Sequence, residues 1–165
     1  LVTAVRVSVL AEYEAVFAAL GWQAGLILPR HSGEEQWLRN GHHGDGLLLT
    51  AHEEGFTAVL MRNNRPITLR AVFCEADECD DELHRVLLFY RERSGSNGQG
   101  EAALVDRLLI VGDRLDKQRV ATIAQETLGV NLRPLGAADV GLVIPGGDLA
   151  FDAIAAPAGL ARLAW

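Results

Sequence analysis

Cysteine is almost missing from this chain: Cys74 and Cys79 are the only two in 165 residues. A pair cannot make the disulfide framework of a small secreted domain, so the thiols read as reduced, as in a cytoplasmic protein. Cys74, Cys79 and His84 form a Cys-x4-Cys-x4-His pattern, but no fourth ligand follows at a useful spacing. The plainer reading is one small buried residue and one residue at a helix start. Basic charge is also short, with 15 Lys and Arg against 22 Asp and Glu and a net charge of -7. That balance argues against a nucleic-acid partner. Long apolar runs are absent too: no stretch approaches the roughly 18 residues that cross a bilayer, and no signal peptide is seen. No direct membrane insertion is therefore expected. The first and last residues, Leu1 and Trp165, read as cuts within a longer protein.

What is present is an ordinary globular composition, 49% hydrophobic, in a chain long enough to bury roughly 70% of its unfolded surface. Thr3 to Leu10 alternates valines and predicts a strand. A helix follows from Ala11 to Leu20 on Tyr13, Val16, Phe17 and Leu20, with Gly21 as its cap. Leu26 to Leu28 predicts a short strand. Residues 1–35 are thus expected as a strand-helix-strand fragment of a preceding subdomain, and residues 36–165 as the main domain. A polar segment, His31 to Gly46, marks the boundary, with a helical turn expected around Glu35 to Leu38.

Leu47 to Ala51, Phe56 to Met61 and Pro66 to Phe73 predict a three-stranded meander turned at Asn63-Asn64. Its last strand reads as an exposed edge and a secondary candidate for partner pairing. Asp80 to Arg93 predicts a helix on Leu83, Val86, Leu87 and Tyr90, acidic at its start and basic at its end. After a flexible connector at Ser94 to Gly100, Arg107 to Val111 predicts a strand covered on both faces. Asp116 to Leu128 predicts a helix closed by Gly129, Val130 to Leu135 a fifth strand, and Leu149 to Trp165 a buried helix kinked at Pro157. The fold class is therefore α/β and ribonuclease H-like: three antiparallel strands, two further parallel strands and flanking helices.

Candidate sites are few. The glycines at 95, 98 and 100 lie between helix and strand, the wrong order for a phosphate loop, and bring no Lys. Pro145 to Asp148 reads as a capped turn rather than an anion site. His42 and His43 with Asp45, and His52 with Glu53 and Glu54, lack a ligand-fixing spacing. A two-metal nuclease needs a carboxylate in the first strand, and Leu47 to Ala51 has none; Asp106 lacks a companion. No catalytic residue and no metal site is expected.

Three stretches carry a family likeness. These are Leu10 to Leu28 (LAEYEAVFAALGWQAGLIL), Ala58 to Val72 (AVLMRNNRPITLRAV) and Glu82 to Leu135, joined by Ala158 to Arg162 near the end. Together they resemble the second part of the PilM family of type IV pilus assembly proteins, actin-like relatives of the bacterial division ATPases. The resemblance implies half of an actin-type ATPase. It also implies a scaffold in pilus biogenesis or a related secretion platform, cytoplasmic and held to the inner membrane through the tail of a PilN-like protein, beside other pilus assembly proteins.

The departures from that family bear on nucleotide. Its first phosphate turn carries Asp-x-Gly and then threonines; here Thr50 and His52 stand at the Asp and Gly positions, and Thr57 is the hydroxyl nearby. Thr50 brings no charge for magnesium, and the His52 Cβ would obstruct backbone approach to phosphate. The adenosine-side glycine run is reduced to Gly112, followed by Asp113 near the anion's place. Weak or no nucleotide binding is expected, and so no cofactor. Two alternatives stay open. One is a working ATP-binding subunit, using ATP and magnesium, completed by a missing N-terminal half. The other is an unrelated enzyme on a ribonuclease H-like frame.

Overall fold

The computed structural model of the chain describes residues 4–39, 44–95, 105–144 and 149–163. Hydrophobic alternation in three successive segments builds a meander of β1 (Asp45–His52), β2 (Gly55–Arg62) and β3 (Arg65–Phe73). Both links are tight. Asn63 and Asn64 turn β2 into β3 with φ of 49° and 62°, the left-handed pair that a two-residue hairpin demands and asparagine tolerates. Gly55 (φ 136°) lies so close to the Val72 carbonyl that a Cβ would overlap it.

A further strand, β4 (Val105–Val111), pairs parallel with β1 and sets the order β3-β2-β1-β4. Three antiparallel strands with a parallel fourth beside the first is the ribonuclease H-like arrangement expected. Its two inner strands are apolar on both faces, as a sheet covered on both sides requires. Leu47, Leu49, Phe56, Leu60, Leu108 and Ile110 face one helical layer; Leu48, Val59, Met61, Leu109 and Val111 face the other.

The first layer holds α3 (Cys79–Gly95) and α4 (Lys117–Leu128). Leu83, Val86, Leu87 and Tyr90 of α3 and Val120, Ile123 and Ala124 of α4 are buried, as their spacing predicts. Asp116 caps α4 by accepting from the amides of Gln118 and Arg119 at 2.8 Å each, and Gly129 ends it in the left-handed region. His84 Nδ1 meets Thr127 Oγ1 at 2.8 Å, binding α3 to α4. The second layer holds α2 (Arg30–Glu34), a 3-10 turn at Glu35–Leu38, and α5 (Phe151–Leu163). Here the Trp37 indole N–H donates to the Ala155 carbonyl at 2.8 Å. Gly33 and Gly159 let α2 and α5 cross backbone to backbone: a Cβ on either would overlap a carbonyl oxygen of the other helix.

Four expectations need correction. Thr3 to Leu10 is not a strand in its described part, because helix α1 (Val7–Ala19) starts within it. An isolated strand would leave its backbone unpaired, whereas a helix satisfies itself. Its end is as expected: Gly21 (φ 75°) closes a Schellman motif, with Trp22 N–H donating to Phe17 O at 2.9 Å and Gly21 N–H to Ala18 O at 3.0 Å. Leu26 to Leu28 forms no strand. The fifth strand shrinks to a single parallel bridge, Leu108 to Pro134, because Pro134 has no N–H with which to extend a ladder. Helix α5 is buried at Ala155 and Gly159 but leaves Leu163 exposed, so it is one-sided rather than enclosed. Residues 96–100 of the expected connector, the Pro145 to Asp148 turn and the pair His42 and His43 lie outside the described residues.

Candidate functional site

In an open sheet of this kind, ligands meet the carboxyl ends of the parallel strands. Here that end is formed by β1, β4, the loop after β4 and the starts of α4 and α5. The sheet brings four of the five nucleotide-site positions together. Thr50 pairs directly with Thr57 across β1 and β2, and with Val111 on β4. Gly112, with φ of 101°, approaches the Ala51 backbone so closely that a Cβ would crowd its carbonyl oxygen. His52 pairs with Gly55, and its ring lies 6.2 Å from that of Phe73. Asp113 follows Gly112, exposed at the rim.

The buried centre of this end is occupied by a side chain that sequence reasoning did not single out. Glu34, fully buried, accepts a hydrogen bond from the Thr50 hydroxyl on Oε2 and from Arg30 Nε on Oε1 at 2.6 Å. A carboxylate taken out of water needs such partners, and both of its oxygens have one. The place where the resembled family carries an aspartate for magnesium therefore holds a hydroxyl already committed to a neighbour. The Arg30 and Glu34 spacing, i and i+4, was the available signal.

Three other polar groups around the rim, Arg114, Lys117 and Asp116, are engaged within the chain. Arg114 donates to the Glu53 carbonyl, tying the post-β4 loop to the β1–β2 turn. Lys117, first residue of α4, pairs with Asp152 in the first turn of α5 at 3.0 Å. Asp116 takes the amides that an anion would otherwise meet at the α4 N-terminus. Beyond the rim, Arg133 pairs with Asp139 at 2.5 Å. The Arg133 guanidinium and the Gly136 N–H hold the Asp139 carboxyl below the usual carboxylate range, and the pair raises Arg133 in turn.

The other candidates are dispersed. Asp45, expected just outside the first strand, begins β1 and is buried. It accepts from Arg62 Nη2 and from the Tyr90 hydroxyl, each at 2.7 Å, and this bond raises the Arg62 guanidinium. Asp106 sits half-exposed beside Arg107. Cys74 and Cys79 bring their sulfurs within 2.9 Å, and burial, with the Cys79 thiol next, pushes Cys74 up to about 12. Among the described residues no group of three or more His, Cys, Asp or Glu side chains is placed to hold a metal ion. No described helix is long and apolar enough to cross a membrane.

No protein-family model matches the chain, and no curated protein matches it by sequence. Solved structures similar to it include the following two. One is a protein from Bacteroides thetaiotaomicron with an actin-like ATPase fold and unknown function, at 7% identity and a TM-score of 0.46, over 64% of this chain and 38% of that one. The other is a chain of a PilM-PilN type IV pilus biogenesis complex, at 16% identity and a TM-score of 0.66. That match covers 95% of this chain but 56% of the other, so the chain spans little more than half of its structural neighbour and shares its fold.

Proposed function

We propose that the chain is part of a PilM-like scaffold, cytoplasmic and held at the inner membrane by a PilN-like partner, that works by contact rather than by hydrolysing ATP. The carrying observation is the Thr50–Glu34 hydrogen bond in the buried centre of the strand ends. A nucleotide site there needs a free carboxylate toward magnesium and open amides toward phosphate. In this chain the carboxylate is shared between Arg30 and Thr50, and the α4 amides are taken by Asp116. The fold shared with a chain of a pilus biogenesis complex supports the scaffold reading.

Calorimetric titration of the complete protein with Mg-ATP tests it. The scaffold reading expects no saturable heat, and micromolar affinity overturns it. Association with the cytoplasmic tail of a PilN-like membrane protein, measured by the same method, tests the partner. One observation favours the ATP-binding alternative: Gly112 keeps its left-handed turn against β1, the close backbone approach that a phosphate turn uses. The same titration decides between the two.

A further inference from the structure

On the sheet face covered by α3, the helix lies over β1 and the inner side of β2 and stops short of β3. The uncovered strip forms a groove of about 290 Å³. Its floor is Ala58 and Leu60 of β2 with Thr68 and Arg70 of β3, and its wall is Val86 and Phe89 of α3. At one end Arg62 is already neutralised by Asp45. Arg70 is different: it lines the groove, is exposed, and among the described residues has no ion-pair or hydrogen-bond partner. Arg65, at the start of the same strand, is alike in this. Two uncompensated cations on one strand stand out in a chain of net charge -7.

That strand is also an edge. β3 runs nine residues and, among the described residues, pairs only with β2, so every second residue turns its backbone groups away from the sheet. Ile67 and Phe89 stay 43% and 41% exposed beside the groove. A second copy of the chain fits this edge poorly. An antiparallel copy centred between Ile67 and Thr68 sets Arg65 opposite Arg70 at both ends, and like charges directly opposed destabilise a strand pair.

We propose that β3 and its groove bind an extended acidic segment of a partner protein by strand addition, an apolar side chain entering between Leu60, Thr68 and Phe89 and a carboxylate resting on Arg70. Backbone pairing supplies affinity, while the pocket and the arginines supply selection. This surface lies on the sheet face opposite Glu34, so it is separate from the nucleotide question.

The test uses a fluorescein-labelled peptide of roughly ten residues alternating Leu and Glu, its Leu-Lys counterpart, and the full chain, read by anisotropy at low salt. Saturable binding of the Glu peptide is expected, weakened about tenfold or more by Arg70→Glu, with the Lys peptide gaining on that variant. Amide exchange should slow along residues 65–73. Arg65→Glu provides an independent charge reversal should Arg70→Glu fail to fold. Four results would each overturn the proposal: no saturable binding, equal binding of the Lys peptide, indifference to both reversals, or sedimentation as a dimer paired through β3.

Discussion

The Thr50 hydroxyl donates to the Glu34 carboxylate within the layer that α2 and α5 build on the sheet. Removing the donor with Thr50→Val leaves Glu34 leaning on Arg30 alone and should cost about 1–3 kcal/mol in urea unfolding. Thr50→Asp, which installs the residue of the resembled family, places a second carboxylate against a buried one. It should cost about 3 kcal/mol or more and yield no nucleotide affinity by calorimetry. Tighter Mg-ATP binding in Thr50→Asp would show that the site lacks only its charge.

The crossing of α2 over α5 depends on two residues having no side chain. Gly159→Ala inserts a methyl where the Gly33 carbonyl stands and should destabilise by about 1–3 kcal/mol. Gly136→Ala meets only ordinary contact with Asp139 and should stay within about 0.5 kcal/mol. Thermal denaturation of the two variants side by side is the comparison; equal losses would refute the packing account.

At the other end of β1, Asp45 is held by Arg62 and Tyr90. Arg62→Met strands a buried carboxylate and should cost about 3–5 kcal/mol. Tyr90→Phe removes one hydrogen bond of several and should cost about 1 kcal/mol. A double-mutant cycle should give a coupling clearly different from zero.

The Cys74 thiol, pushed up to about 12 from 9.0 by burial and by Cys79, sets a pH dependence. Below about pH 9 folded and unfolded thiols are both protonated, and the full contribution to stability is present. As pH rises beyond that, the unfolded chain releases its proton first, so stability falls until the folded thiol ionises near 12. Iodoacetamide near neutral pH should alkylate native Cys74 on the order of a hundredfold more slowly than the urea-unfolded chain, read by mass spectrometry. Equal rates would contradict the burial.

Elements with local signals were legible in the sequence. Asn63-Asn64 names its own turn, Asp116 and Gly129 bracket α4, and the acidic start of Cys79–Gly95 fits a helix dipole. What was illegible depends on neighbours distant in the chain. Alternating valines before Leu10 look like a strand until it is known that, among the described residues, no strand lies beside them. Pro134 halts a ladder whose hydrophobic pattern continues through Leu135. Glu34 reads as one charge in a polar linker, since nothing local shows that the sheet will place Thr50 against it. The resemblance supplied the positions 50, 52, 57, 112 and 113 as a set, and the sheet accounts for four of them as neighbours.

The indole of Trp37 bonds to a carbonyl 118 positions later. During synthesis, then, the cover over Leu48, Val59 and Leu109 stays incomplete until α5 has left the ribosome. The meander can assemble early from short-range pairings, but it must keep one oily side wet while it waits. Slow translation before Phe151 would lengthen that exposure and favour sticking between nascent chains.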